Sequence, residues 1–350
     1  MMRVHRYPTA ITAAVTSLSV LMAVVGCARA PEQSTTGAIP DELVPSKYCN
    51  EKCHAQLTLK AAPDSIRCSV GVSWSSASFP YGAKSTTQIP KFAGKFLPGM
   101  SLTVSDGQGD AATQSGQIDN MVAQGIDVLI VSPQDASALA GAVSRAKAAG
   151  VKVVAADRNV KTDVDTYIGS DNAEAGRVAG AAVVAAHPDG ARVVELAGSL
   201  GASPTIDRGD GFRKAIEGSP VHIIASQSAD YDRAHGLKVM EDLLQRFGAG
   251  QIDAVYAHND QMAFGAIQAI TEAGRQNEIA VYGVDGESGA LDRIKQGTYA
   301  ATVGYPLVVN ESVIAAAKLC AGEQIDKRIV LDSTLIDTKN VDDYRANPPQ

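Results

Sequence analysis

Aromatic side chains are scarce in this chain, only 5% of 350 residues, with a single Trp and six Phe. Any aromatic placed near a strand end is therefore a candidate wall of a binding site. No run of Lys and Arg is present, which argues against a nucleic-acid surface. Only one long apolar stretch occurs, residues 10–25, so the body of the chain is expected to be soluble. Gly-x-Ser-x-Gly, a Walker loop and His-Glu-x-x-His are all missing, and with them the usual signatures of an α/β-hydrolase, a P-loop nucleotidase and a zinc protease. Gly198-x-x-Gly201 does not make a dinucleotide fingerprint.

The length suits two domains of ordinary size. Hydrophobic residues make up 45% and charged residues 20%, as in a globular protein. Arg3, His5 and Arg6 precede the apolar stretch, which ends in Val24-Val25-Gly26-Cys27. This resembles the lipobox of bacterial lipoproteins, in which cleavage exposes a cysteine whose thiol accepts the lipid. The plainer alternative is a secretory leader with an incidental cysteine. Residues 1–26 are thus expected to be a signal peptide, and Cys27 the lipidation site that anchors the chain to the membrane of a bacterial envelope. Removing the leader takes away two arginines and leaves 29 basic against 38 acidic residues, changing the net charge from −7 to −9. Residues 28–44 are polar and read as a flexible tether, so that 27–65 forms a tether and cysteine-containing extension.

Cys49, Cys53, Cys68 and Cys320 allow two disulfides in an oxidising compartment, with three pairings open. A bond clipping the extension to the first strand is expected. Cys49-x-x-x-Cys53-His54 also invites metal or haem readings, but haem attachment has two residues between its cysteines. No metal or cofactor is expected.

From Cys68 onward short apolar runs alternate with helical stretches. Runs at 69–73, 102–105, 128–132 and 151–156 read as strands, with helices at 111–124 and 136–149 between them. Pro90 and Pro98 interrupt the segment after the first strand, which is expected to be kinked, split or partly loop. The alternation restarts at Asn172, with strands near 192–197, 221–226, 254–257, 280–284 and 300–303. Helices are expected at 174–186, 207–217, 233–246, 261–273 and 308–320, with 291–296 linking the last two strands. All-apolar strands covered on both faces by helices predict an α/β fold of two doubly wound parallel-sheet lobes. Such sheets bind ligands outside the carboxyl ends of their strands.

The motifs at those ends carry a resemblance. The run 128–133 with Ala156-Asp157-Arg158, then Gly169-Ser170-Asp171-Asn172, then Gly198, Gly201 and Arg208-Gly-Asp-Gly-Phe212, stand in order. Ala229-Asp230-Tyr231-Asp232-Arg233, Ala257-His258-Asn259-Asp260 and Gly283-Val284-Asp285-Gly286 follow. Together, over about residues 66–335, they resemble the ribose-binding-protein family of type I periplasmic binding folds. The resemblance implies a three-segment hinge near Ser170–Asp171, Tyr305–Pro306 and Leu331–Asp332. It implies an amino-terminal lobe of 66–170 plus 306–330 and a carboxyl-terminal lobe of 171–305 plus 331–345. It places ligand contacts on Asp157, Arg158, Arg208, Asn259 and Asp285, with an aromatic at Tyr231. The family's contacts after the first strand, usually Asn and Phe, correspond to 74–81, where this sequence reads Trp-Ser-Ser-Ala-Ser-Phe-Pro-Tyr and the usual asparagines are absent. Tyr305 stands where the family often has glutamine, which argues for a ligand other than ribose.

The chemistry is coherent without the resemblance. A sugar hydroxyl both donates and accepts, so Asp157 and Asp285 can accept, Arg158 and Arg208 can donate in forks, and Asn259 can do both. Trp74, Phe79 and Tyr231 could cover apolar sugar faces. Each has a plainer reading: a surface ion pair for Asp157 and Arg158, a helix-start pairing for Arg208, an N-cap for Asn259, a turn for Asp285, core for Trp74. His258 reads as a satisfied loop histidine. The expectation is a monomeric binder, not an enzyme, delivering a neutral monosaccharide or polyol to an ABC permease. A sensor presenting its ligand to a membrane receptor and a binder of another small molecule are alternatives; a glycosidase using Asp157 and Asp285 fits less well.

Overall fold

The computed structural model describes residues 43–350. Cys27 and the leader, and most of the tether, lie outside the described residues. Among the described residues no helix is long and apolar enough to cross a membrane.

Two six-stranded sheets form the body. The first contains β1 (Cys68–Trp74), β2 (Met100–Asp106), β3 (Val128–Ser132), β4 (Lys152–Ala156), β5 (Thr166–Ser170) and β11 (Arg328–Leu331), in the order β11-β5-β4-β3-β1-β2. All its pairings are parallel. The second contains β6 (Ala191–Ala197), β7 (Val221–Ser228), β8 (Ala254–Ala257), β9 (Ala280–Asp285), β10 (Ala301–Gly304) and the short β12 (Leu335–Ile336), in the order β12-β10-β9-β8-β6-β7. Only the β10–β12 pairing there is antiparallel. Strands such as β3 and β8 are buried at every residue, which is why they read as unbroken apolar runs.

Helices cover both sheets: α2 (Pro80–Phe96), α3 (Ala111–Ala123), α4 (Ala140–Ala148) and α10 (Val309–Cys320) on the first, and α5 (Asn172–Ala186), α6 (Ser203–Ile216), α7 (Arg233–Arg246) and α8 (Asp260–Glu272) on the second. α9 (Ser288–Lys295) and α11 (Val341–Arg345) pack together beside the second sheet. The chain passes between the sheets three times: after β5, after β10 and after β11. α5 and α6 lie so close that a Cβ at Gly176 would stand 2.1 Å from the Arg208 carbonyl oxygen.

Three expectations are corrected. First, α2 runs unbroken through Pro90, because its buried face of Ile89 and Ala93 packs against the first sheet and α10, while Pro98 falls just beyond the C-cap at Leu97. Second, the helix expected from 136 begins at Ala140. The Asp135 carboxylate caps the amides of Ser137 and Ala138, and the Ala136 amide donates to the Gly201 carbonyl of the other lobe at 3.1 Å. Third, the disulfides do not join the extension to the first strand. Cys49 pairs with Cys53, at the start of α1 (Glu51–Leu57), and Cys68 pairs with Cys320. A cap and one turn of α1 bring the first pair to a Cα separation of 5.2 Å. The first residue of β1 lies against the last residue of α10, 5.8 Å between Cα atoms.

The extension is tied down without a covalent link to β1. Leu43, Leu57 and Leu59 are buried. The Ser46 amide donates to the buried Glu311 carboxylate of α10 at 2.6 Å, and Lys318 of α10 donates to the Thr58 carbonyl at 2.7 Å. Near the third crossing, the Asp332 amide donates to the Tyr48 carbonyl at 3.0 Å. Tyr48 Oη and Lys47 Nζ both reach the Asn347 carbonyl.

Candidate functional site

The carboxyl ends of the two sheets face each other across a small cavity. The lobes meet around it: the Asn159 amide donates to Ser203 Oγ at 2.8 Å. Of the residues expected at the site, Phe79, Asp157, Arg158, Arg208, Tyr231, Asn259, Asp285 and Tyr305 line this cavity. Tyr81 and Pro204 line it as well.

Local geometry aims these side chains. Asp157 follows β4, Asp285 ends β9 and Tyr231 follows β7, and all three have positive φ, of 67°, 134° and 61°. Non-glycine residues rarely adopt such backbones unless the surroundings enforce them, and they concentrate at functional sites. At Asp157 the enforcing contacts are its amide to Ile168 O at 2.7 Å and Tyr167 Oη to its carbonyl at 3.1 Å. Tyr231 can lie flat only because residue 198 is glycine; a Cβ there would stand 2.0 Å from the ring. Its hydroxyl pairs with Thr205 Oγ1 at 2.8 Å. Asn259 caps α8, accepting from the Met262 amide at 2.9 Å, and its Nδ2 donates to Tyr231 O at 3.2 Å. The N-cap role and a place in the cavity wall are therefore compatible.

A relay of polar groups joins the lobes. Tyr305 Oη donates to Asp157 Oδ1 at 2.9 Å and accepts from Asn172 Nδ2 at 3.2 Å. Asn172 Oδ1 in turn accepts from Arg208 Nε at 2.9 Å. Arg208 Nη1 also donates to the His258 carbonyl and stands 3.9 Å from Asp285. Arg158 lies between the rings of Phe79 and Tyr231, at 5.8 and 5.6 Å from their centroids, with its Nε 3.7 Å from Asp157. The charged residues lining the cavity are two carboxylates and two guanidiniums.

Burial pushes the Asp157 carboxyl up, opposed by Arg158 and Tyr305. Burial raises Asp285 well above the usual carboxylate range, with Arg208 opposing it. For Arg208, burial works against the cation, yet Tyr231, Tyr305 and Asp285 keep its pKa above the ordinary value. The Asp285 carbonyl accepts from the Tyr305 amide at 2.9 Å, but among the described residues its side-chain oxygens accept no hydrogen bond, which leaves them open to a ligand.

Trp74 is a correction. It is fully buried at the end of β1, stacked behind Tyr81 with centroids 6.4 Å apart, and does not reach the cavity. Its side chain turns under α2, and Tyr81, on the first turn of that helix, takes the wall position. Tyr81 stood in the sequence only as the end of segment 74–81. Asn172, one residue past a crossing, gave no sign of organising Arg208 and Tyr305. His258 is buried, with Nε2 3.0 Å from Glu195 Oε1. Glu195 also receives Arg213 and Ser226, so this group braces the second sheet behind the cavity. Among the described residues no cluster of His, Cys, Asp and Glu could hold a metal ion.

Residues 70–324 match the family described as the periplasmic binding protein domain. The ribose import binding protein RbsB of Bacillus subtilis is 39% identical over 263 residues, 74% of this chain and 84% of that protein. Among solved structures, a Mycobacterium smegmatis protein in complex with β-D-fucofuranose is 30% identical, with a TM-score of 0.75 over 80% of this chain and 94% of that one. The fructose-binding periplasmic domain of a hybrid two-component system, BT1754, is 28% identical, with a TM-score of 0.76 over the same shares. With two doubly wound lobes, three crossings and a cavity between strand ends, this chain belongs to the periplasmic binding protein family, in its type I fold.

Proposed function

We propose that this protein captures a small neutral sugar or polyol outside the cytoplasm and delivers it to an ABC-type importer. The observation that carries the reading is the cavity itself: two carboxylates and two guanidiniums balance in charge, and aromatic rings supply flat apolar walls. A strongly charged ligand would leave one of these ions uncompensated away from water. Charged hydrogen bonds contribute about 1.5–3 kcal/mol each, so a few give micromolar binding or better. The relatives support it, being ribose-, xylose- and galactofuranose-binding proteins by name. Asp157 and Asp285 each stand beside a guanidinium, an arrangement for binding hydroxyls rather than for hydrolysis. A thermal-shift and calorimetric screen of monosaccharides and polyols tests the reading, since a ligand of the folded state raises the melting temperature. It fails if no neutral sugar or polyol shifts the curve while an amino acid, nucleoside or anion does.

The similarity to a domain of a hybrid two-component system favours, as a second reading, presentation of the bound sugar to a membrane receptor. A permease or a receptor encoded beside the gene separates the two. The anchor belongs to the same proposal: cleavage before Cys27 and lipid on its thiol hold the monomeric body at the membrane. Fatty-acid labelling in cells should depend on Cys27, and label retained by Cys27→Ser would remove the anchor from the reading.

A further inference from the structure

Asp285 offers its side-chain oxygens to a ligand, yet no protein donor holds them in place; the Arg208 guanidinium stands 3.9 Å away. Their aim therefore comes from the backbone of the turn after β9. That backbone is unusual. Asp285 has a φ of 134°, and a non-glycine residue keeps such a conformation only where its surroundings enforce it. Three consecutive residues supply the enforcement. The Asp285 carbonyl accepts from the Tyr305 amide at 2.9 Å, the Gly286 amide donates to Thr302 Oγ1 at 3.3 Å, and the Glu287 amide donates to Asp260 Oδ2 at 2.8 Å.

Two of these three restraints converge on Asp260. Thr302 Oγ1 donates its own proton to Asp260 Oδ1 at 2.7 Å, and Tyr299 Oη donates to the same oxygen at 2.7 Å. Gly283 makes room for the second bond: a Cβ there would stand 1.9 Å from Tyr299 Oη. Asp260 is fully buried and does not line the cavity. The plain reading of an acid in the first turn of α8 is a favourable charge at the helix start. That reading does not account for where its bonds go. The donors sit on β10, on Tyr299 just before it and in the turn after β9, not on α8. Burial and the nearby Glu287 carboxylate push the Asp260 carboxyl up, against these hydrogen bonds, so a carboxyl here is costly to keep.

We infer that Asp260, with Thr302, is a positioning residue for the ligand: it holds the turn at 285–287 so that the Asp285 carboxylate faces the cavity, and touches no ligand itself. This rests on the sugar reading above. A ligand hydroxyl donating to Asp285 makes a charged hydrogen bond, worth about 10- to 150-fold in Kd. A turn released from its strained φ swings the carboxylate away and forfeits part of that.

The test is calorimetry of the full mature chain with the tightest binder in a sugar and polyol screen that includes D-ribose, D-xylose, D-galactose, D-fructose and myo-inositol. Asp285→Ala should weaken that binder by about 10- to 150-fold. Thr302→Val keeps the shape but neither accepts from Gly286 nor donates to Asp260, and should weaken it by at least about fivefold. Asp260→Ala should lose as much or more, and Thr302→Ser, which keeps the hydroxyl, should recover most of the Thr302→Val loss. A general structural defect would cost the same in any background. A positioning defect acts through Asp285, so in an Asp285→Ala chain Thr302→Val should cost less than about twofold. The Thr302→Val and Thr302→Ser pair decides the matter if Asp260→Ala fails to fold or Asp285→Ala binds too weakly to measure. Three results overturn the inference and leave the sugar reading standing: Thr302→Val binding as the parent does, Thr302→Ser as weak as Thr302→Val, or an equal Thr302→Val loss with and without Asp285. A screen in which no neutral sugar or polyol binds removes both.

Discussion

Replacing Arg208 by Ala is the sharpest test of how the cavity works. Arg208 is 3% exposed and ties three parts of the site together, through Nε to Asn172, Nη1 to the His258 carbonyl, and its charge to Asp285 at 3.9 Å. Its loss leaves the Asn172 and His258 oxygens short of a donor and Asp285 without its counter-ion. Truncating one partner of a buried, hydrogen-bonded charge pair costs about 2–5 kcal/mol, or roughly 30- to 4000-fold in Kd. The variant should also acquire a pH signature. Asp285 is already raised well above the carboxylate range by burial, with Arg208 holding it back, so removing the cation raises it further. The carboxyl then keeps its proton to higher pH than in the parent, and a protonated carboxyl loses one acceptor, so residual affinity should improve as pH rises and the carboxylate returns. Stability should move the other way. A carboxyl whose folded pKa exceeds its unfolded value binds more protons when folded, so the ligand-free variant should lose stability as pH climbs from the unfolded value through the raised folded one. Calorimetry and thermal melts across pH 5–9 read both trends. Arg208→Lys, which keeps the charge but not the planar fork, should fall between. Lys238→Ala, at an exposed i,i+4 pair with Asp242, should bind within about twofold of the parent. An Arg208→Ala protein that folds and binds the best sugar as the parent does would refute this account of the site.

Other outcomes follow from the hinge and the extension. Ligand contacts both lobes only when they are shut, so small-angle scattering should show a smaller radius of gyration with a bound sugar; an unchanged radius would count against closure. The disulfides should differ in weight. Cys68–Cys320 spans 252 residues and should stabilise by several kcal/mol, at most about 5, whereas Cys49–Cys53 spans 4 and should give about 2. Denaturant melts of the paired Cys→Ser variants check this, and the reverse order would contradict it. Replacing Lys47 and Tyr48 by Ala removes both bonds to the Asn347 carbonyl and should cost about 1–2 kcal/mol in the same assay.

Much of the architecture is written locally. Five- and four-residue apolar runs such as Val128–Ser132 and Ala254–Ala257 announce strands buried on both faces, because only a sheet covered by helices removes every side chain from water. Given two such sheets, topology puts Asp157, Tyr231, Asn259 and Asp285 at one end of their strands, and the structure gathers them around one cavity. A strand end is a local feature, so the candidates could be read one by one. The direction of a side chain is not local. Trp74 and Tyr81 are seven residues apart, and only the seating of α2 decides which faces the ligand and which supports it from behind. Pro90 looks like a break until the packed face of Ile89 and Ala93 is seen to hold the helix through it. The Asn172–Tyr305 and Tyr305–Asp157 bonds join residues 133 and 148 positions apart, and Cys68 finds Cys320 across 252. Such pairings depend on where three chain crossings bring two lobes, and no residue carries a mark of its partner. The sequence by itself determined which segments are strands and helices and at which ends chemistry could collect. The tertiary structure alone decided which rings face the cavity, which cysteines meet and which hydroxyls are left for a ligand.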